Sequence, residues 1–524
     1  MVSLVGATER LTRRTLRALD ALMHRVADWR LNPLHQSGTI AAYLLAVLTV
    51  TGLYLILFYR VGAPAASVQR IADDPWLGSW MRSVHRYATD LFLVAAVIHG
   101  ARVFGQARSW GPRARAWISG VALVGVGLAC AWTGFVMAWD SFGQRVALAG
   151  ARLFDVLPVL SEPVTRIFAG DRPVPSAFFF LNLFVHIGLP LMMGVGLWLH
   201  VSKVARPVLA PPRPLRWGMV VGLIVLAIVL PAPLGPAADP LRLPATTPFN
   251  LSTSWWIPLA DGRSPLLVWS VVSLVVAVAV AVPFVTRRPR EGSFTPSVVD
   301  PRLCTGCDQC TQDCPWGAIT MVPRDDDRPT LVALVDPALC VSCGICAASC
   351  APMGVGPDGR TGRHQLVHIR SRVLPGLRTG DAAARVVAVL CGQTDVALRA
   401  QLGAEGAVIH EVPCIGTLHT SVIELLLRQG ASGVFVAGCP PRDCAAREGP
   451  KWTELRVYHD REAELQARVD RRRVLLTTAP AGLAGATVAE FVAFRDAVVA
   501  LDQPTVEDDI DLRLLCEPLE KTAV

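Results

Sequence analysis

The first 303 residues hold a single cysteine, Cys130, although the 524-residue chain has 14. That excludes a disulfide framework from more than half of the chain. The remainder is poor in long apolar runs, because apolar residues crowd into the first 290 positions. Charge of one sign is also scarce. The formal net charge is only +8, and the arginines sit mainly in loops between apolar runs. This reads as a membrane-topology signal, and no nucleic-acid partner is expected. There is no P-loop, no dinucleotide fingerprint and no acid–base–nucleophile constellation, so substrate chemistry is expected on another chain. No cleavable signal peptide is read. Residues 8–30 read as a basic amphipathic helix lying at a membrane surface.

What is present begins with cysteine spacing. Cys304, Cys307, Cys310 and Cys314 form one Cys-x2-Cys-x2-Cys-x3-Cys run, and Cys340, Cys343, Cys346 and Cys350 repeat it. In such paired runs the fourth thiolate of each ligates the other cluster. The expected sets are Cys304, Cys307, Cys310 with Cys350, and Cys340, Cys343, Cys346 with Cys314, giving two 4Fe–4S clusters. Zinc knuckles or a disulfide framework are the bland alternatives, and two matching runs argue against both. Cluster thiolates require a reducing compartment.

Six apolar runs are expected to span a bilayer, at about 38–59, 85–106, 117–138, 178–201, 216–234 and 265–285. Arginine and lysine concentrate before the first, after the second and fourth, and after the sixth at Arg287, Arg288 and Arg290. By the positive-inside rule both ends are cytoplasmic. Four histidines lie within these runs. His85 and His99 are fourteen residues apart, as are His186 and His200. On a helix that is about 21 Å of rise and nearly a whole number of turns, so each pair shares one face. Facing helices would offer two bis-imidazole sites, and ionisable groups in a span are functional suspects. Gly38 and Gly52, and Gly120 and Gly134, repeat the same interval. Glycine would leave room there for a flat macrocycle, against the alternative of close helix packing. Cys130 reads as a small packing residue.

Residues 30–290 resemble the cytochrome b of quinol-oxidising bc-type complexes. The resemblance rests on the Gly and His pairs, on Arg82-Ser-Val-His85-Arg86, and on Thr133-Gly134 followed by Trp139-Asp140. It implies two b haems, one held by His85 and His186 near the outer surface and one by His99 and His200 near the cytoplasm. It also implies that Arg82 and the basic loop after His99 neutralise propionates, and that quinone binds near each haem. The chain departs from the family where that family has Pro-Glu-Trp-Tyr. Here Ser254-Trp255-Trp256-Ile257-Pro258 stands, without the proton-accepting Glu. A Cys before the first span, where photosynthetic relatives attach a further haem, is replaced by Gln36-Ser37. Ser202, Lys203 and His35 lie near the cytoplasmic end, where one quinone site is the economical expectation.

Pro315 follows Cys314 as in bacterial ferredoxins, and Ala318–Thr320 and Leu331–Val335 read as strands of that small fold. From about 384 strands alternate with helices, which reads as a parallel sheet. Cys391, Cys414 and Cys439 each end a strand, and Cys444 follows. Ligands gather at the carboxyl ends of such strands, so these four thiols could hold an iron–sulfur cluster or zinc. The segment resembles the delta subunit of methyl-viologen-reducing hydrogenase, through Cys391, Pro413-Cys414, Gly438-Cys439-Pro-Pro-x-Asp443-Cys444 and Arg447-Glu448-Gly449-x-Lys451. That resemblance implies one 2Fe–2S cluster and a partner of the heterodisulfide-reductase flavoprotein type.

The expected fold is multidomain. Residues 1–290 form an all-α, six-helix transmembrane di-haem bundle, 291–372 a small α+β ferredoxin domain, 380–502 an α/β parallel-sheet 2Fe–2S domain, and 503–524 an acidic tail. Cys516 reads as a free thiol. The expected function is a multi-pass electron-transfer subunit of the cytoplasmic membrane, with its Fe–S domains cytoplasmic. It would link a cytoplasmic dehydrogenase or flavoprotein to quinone, with homodimerisation left open. The rivals are an energy-coupled, quinol-oxidising subunit that drives electrons to the partner, and a non-catalytic redox sensor or scaffold.

Overall fold

The structure is a computed structural model that describes residues 2–158, 161–168, 173–242, 250, 255–262, 264–285, 295–379, 385–459, 461 and 463–502. The expected acidic tail, Cys516, Ser254 and the Arg287–Arg290 cluster lie outside the described residues. The chain falls into two compact units. Unit 1 comprises Met1–Pro296, Cys314–Thr320 and Leu334–Ser342, and unit 2 comprises Ser297–Asp313, Met321–Ala333 and Cys343–Val524.

Unit 1 is helical: α1 (Val2–Met23), α2 (Ser37–Phe58), α3 (Pro64–Asp73), α4 (Gly78–Gly105), α5 (Ala114–Ala138), α6 (Ser141–Asp155), α7 (Ser176–Val201), α8 (Arg213–Val229), α9 (Ile257–Gly262) and α10 (Pro265–Val285). Among the described residues, α2, α4, α5 with its 3-10 lead-in from Gly111, α7 and α10 are long and apolar enough to cross a membrane. The fifth expected span, about 216–234, is α8. At 17 residues it rises about 26 Å, short of a hydrocarbon core of about 30 Å. Leu230, its C-cap, leaves the helix and Pro231 cannot extend it. Apolar side chains such as Leu57, Trp198 and Val229 face outward, which suits lipid rather than water.

Local chemistry fixes the turns. Trp139 ends α5 in the left-handed region. Asp140 then caps α6 by accepting from the Gly143 amide at 2.7 Å, and accepts from the Gly235 amide at 2.8 Å. The Trp139-Asp140 pair therefore shapes a corner. At the other end of the bundle α1 is pinned by Asp20, which accepts from Arg102 at 2.7 and 3.3 Å and from Asn32 at 2.8 Å, and lies 3.4 Å from His35. Burial pushes this carboxyl up, but the bonds from His35 and Arg102 outweigh it and hold it well below the usual range.

Unit 2 carries the parallel sheet, in the order β6-β5-β7-β8, from β5 (Val386–Cys391), β6 (Val408–Val412), β7 (Gly433–Gly438) and β8 (Val474–Thr478). Every residue of β5 and β7 is buried. Alternation sorts them: Val387, Val389 and Cys391 enter one core with Val434 and Val436, whereas Val386, Ala388 and Leu390 enter the other with Phe435 and Ala437. Helices α15 (Val396–Ala404) and α18 (Ala484–Asp502) cover the second face, while α16 (Thr420–Arg428) and α17 (Gly449–Tyr458) pack on the first. The ferredoxin-like segment contributes α11 (Gln309–Asp313), α12 (Ile345–Ser349), and β1 (Ser297–Val299) paired antiparallel with β4 (Val355–Pro357), and α13 (Gly362–His368) and α14 (Leu374–Thr379) follow it. Strands β2 (Ile319–Val322) and β3 (Val332–Val335) pair with each other. The fourth strand β8 and the helix α18 that follows are additions to the sequence-based expectation.

Candidate redox cofactor sites

The four histidines form two tiers. In the first, His85 on α4 and His186 on α7 stand with ring centroids 6.4 Å apart. Two imidazoles on opposite faces of one metal need about 2 Å from metal to nitrogen plus about 1 Å to each ring centre, or roughly 6 Å in all. The second tier has His99 on α4 and His200 on α7, each fourteen residues along its helix from the first. Each ring is backed by one of the paired glycines. A Cβ at Gly52 would lie 3.3 Å from His85, at Gly134 3.0 Å from His186, at Gly38 2.8 Å from His99, and at Gly120 3.3 Å from His200. The gaps that the glycines leave are thus filled by imidazole rings.

A device that the sequence reading missed stands beside each ring. Ser or Thr precedes every one of these glycines: Ser37, Thr51, Ser119 and Thr133. Thr51 Oγ1 lies 2.8 Å from His85 Nδ1, Ser119 Oγ 2.9 Å from His200 Nδ1, and Thr133 Oγ1 2.9 Å from His186 Nδ1. Each hydroxyl donates to a carbonyl one turn back, that of Val47, Ala116 or Cys130, so its lone pair receives the Nδ1–H. That tautomer leaves Nε2 bare for a metal. The fourth hydroxyl, Ser37 Oγ, is buried with no hydrogen-bond partner among the described residues.

Cys130 is more than filler. Its carbonyl lies 3.1 Å from His186 Nδ1, and its Sγ lies 3.9 Å from the His186 carbonyl oxygen. That oxygen is free of the helix ladder because Pro190, four residues on, has no N–H. Arg82 donates to the Ala232 carbonyl, and its buried Nε has no partner among the described residues, a donor suited to a propionate. Arg102, in the basic stretch after His99, donates to Asp20. The geometry therefore fits two bis-histidine haems.

In unit 2, Cys304, Cys307, Cys310 and Cys350 line one cavity with Met321, Ala333 and Val355. Burial and then the neighbouring thiols of Cys350, Cys307 and Cys304 push the Cys310 thiol up to about 12. Four thiolates crowded this way are costly unless a metal cluster takes them as ligands. The two runs repeat in backbone detail. Residues two and four places after the first Cys have positive φ in both, Gly306 and Asp308 in one and Ser342 and Gly344 in the other. Amides then point at sulfur, Gly354 to Cys350 at 3.3 Å and Ala318 to Cys314 at 3.3 Å. Cys314 and Cys340 belong to unit 1, and Cys343 and Cys346 to unit 2.

The strand-end cysteines meet. Cys391 and Cys439 have Sγ atoms 4.0 Å apart, and Cys414 and Cys444 3.9 Å apart. All four are buried. Donation from Cys414 and then Cys439 pulls the Cys391 thiol down to about 3, while Cys414 and Cys439 are raised in turn. A Cβ at Gly449, which opens α17, would lie 2.3 Å from Cys414 Sγ, so only glycine lets the helix start there. Among the described residues no three His, Cys, Asp or Glu side chains converge on a single-ion position. Four buried thiols gathered in this way suit a thiolate-bound metal site.

Residues 23–230 match the family model of cytochrome b/b6/petB, 303–354 that of the 4Fe-4S dicluster domain, and 388–502 that of the methyl-viologen-reducing hydrogenase delta subunit. The cytochrome b6 of Heliobacterium mobile is 29% identical over 181 residues, which cover 33% of this chain and 84% of that protein. A solved structure described as a hyperthermophilic respiratory Complex III aligns at 16% identity with a TM-score of 0.38, over 48% of this chain and 75% of that one. The chain thus joins, in one polypeptide, segments resembling a cytochrome b, a two-cluster ferredoxin and a hydrogenase delta subunit. With its apolar helices it is an integral membrane protein. The first two matches imply haem b and iron–sulfur clusters.

Proposed function

We propose that this chain is a membrane electron-transfer subunit that links a cytoplasmic, flavin-containing dehydrogenase to the quinone pool. The observation that carries the reading is the two-tier arrangement of Gly-backed histidines in α4 and α7, within a chain that also gathers thiols at the carboxyl edge of a parallel sheet. Bound haem and iron–sulfur clusters would supply one-electron redox centres, and the chain's residues hold them. His85 with His186 and His99 with His200 ligate two b haems. Cys304, Cys307, Cys310 and Cys350 hold one 4Fe–4S cluster, Cys340, Cys343, Cys346 and Cys314 a second, and Cys391, Cys414, Cys439 and Cys444 a 2Fe–2S cluster. All six apolar helices cross the membrane, with α8 the short one, and both termini face the cytoplasm. The domains are 1–290, 291–372 and 380–502, followed by the tail.

The order of sites along the chain sets the order of connection: partner, Cys391 quartet, ferredoxin-like segment, His99/His200 tier, quinone. A second reading is favoured by the first tier. If electrons also cross to His85/His186, quinone chemistry at the outer side is tied to the membrane potential. Replacement of His85 by Leu separates the two. The first reading predicts partner-driven quinone reduction at the wild-type rate with one haem fewer, and the second predicts loss of turnover. The subunit reading itself is tested by purification of the native complex from membranes. It predicts co-purification with a flavoprotein and quinone-dependent turnover; a chain that comes without a partner and leaves quinone unreduced would overturn it.

A further inference from the structure

The segment after Cys314 belongs to unit 1, and three contacts hold it there. The Ala205 amide donates to the Pro315 carbonyl at 3.1 Å. Arg206 Nη2 donates to the Cys314 carbonyl at 3.3 Å. The Arg113 guanidinium lies over the Trp316 ring, 4.5 Å from its centroid, a distance at which a cation is attracted to the ring face. The anchors are not arbitrary places on the bundle. Ala205 and Arg206 follow His200 by five and six residues, just past the end of α7. Arg113 immediately precedes α5, whose Ser119 and Gly120 hold the His200 ring. Both elements that position His200 therefore also grip Cys314–Trp316.

We propose that Cys314–Trp316 is the port through which the ferredoxin-like segment exchanges electrons with the His99/His200 tier. The cluster that takes Cys314 as a ligand is then the one that exchanges electrons with that tier. The inference rests on the electron-transfer reading above. The step is a single electron transfer: the reduced cluster is oxidised by one electron, a ferric haem becomes ferrous, and no bond or proton changes. Trp316 and Arg113 act as positioning residues, and Arg206 and the Ala205 amide fix the distance.

The test uses the full chain, loaded with its cofactors and held in lipid nanodiscs. Arg113→Gln with Arg206→Ala removes the side-chain grips and leaves Trp316 in place, and Trp316→Leu removes the stacked ring. Hydrogen exchange of the 314–320 amides is read alongside the rate at which photoreduced clusters reduce the b haems. The double variant is expected to exchange about tenfold faster at 314–320 and to transfer about tenfold more slowly, since small misplacements of reacting groups carry losses of that order or larger. Cluster and haem content and their midpoint potentials are expected to stay as in the wild type. Arg113→Lys, which keeps the charge but not the planar stack, should fall between. Wild-type exchange and transfer in the double variant would overturn the port. Wild-type protein whose reduced clusters never reduce the haems would instead sink the electron-transfer reading, and the two failures are thereby told apart.

Discussion

Substituting Gly134 by valine is expected to strip the first tier of its haem while leaving the second in place. A Cβ there would meet the His186 ring at 3.0 Å, and valine adds two methyl groups beyond it. The ring is held from behind by Thr133 and the Cys130 carbonyl, so it cannot retreat without giving up the bonds that orient Nδ1. Overpacking of this kind costs about 1–3 kcal/mol, and a misdirected axial ligand costs haem affinity as well. Haem content by pyridine haemochrome should fall to about half, in keeping with one axial pair per tier. The control lies on the same helix: Gly125 has open space around it, and Gly125→Ala should retain full haem. Full haem content in Gly134→Val would mean that the glycine pairs serve helix packing alone.

The second large effect is expected at Arg456, in unit 2. This side chain is 1% exposed and donates to the Gly416 carbonyl at 3.0 Å, Ser349 Oγ at 3.0 Å, Asp313 Oδ2 at 3.2 Å and the Ile345 carbonyl at 3.3 Å. Asp313 is 0% exposed and also accepts from Arg461 at 2.6 Å and Ser349 at 2.7 Å. The one guanidinium therefore joins the loop after Cys414 to both short helices of the ferredoxin-like segment. Removing one member of a buried pair costs about 3–5 kcal/mol, because the partner's charge and the freed carbonyls stay buried. Arg456→Ala should lose its iron–sulfur EPR signals at clearly lower urea than the wild type, and haem absorbance should be retained under the same conditions. Arg456→Met fills the volume without the charge and should lie between. Equal urea resistance in Arg456→Ala would show that this network carries no stability.

The tiers were legible because a helix repeats its face at fourteen residues, so periodicity alone put His85 above His99 and His186 above His200. The parallel sheet was legible for a similar reason: β5 and β7 are short, wholly apolar runs, each ending at cysteine. The Ser/Thr before each glycine carried a signal that could have been read, since Ser37, Thr51, Ser119 and Thr133 keep the same interval. Hydroxyls in apolar helices usually bond their own backbone, and that reading hides their second bond to a ring. The bond from Arg102 to Asp20 was hidden, because the two lie 82 residues apart. Arg456 with Asp313, 143 residues apart, was hidden in the same way. Long-range charge pairs leave no local pattern. α8 failed as a clear span because hydropathy carried the run into Leu230 and Pro231, where the backbone leaves the helix.

The central claim is that haem tiers and thiol sites form one conducting path inside a single chain. The direct measurement is anaerobic photoreduction of the iron–sulfur clusters in the purified, fully loaded protein, with haem b absorbance followed at several protein concentrations. The account predicts that haem reduction tracks the decay of the cluster signal with one rate constant that is independent of protein concentration. A rate that scales with concentration, or clusters that stay reduced beside oxidised haem, would contradict it.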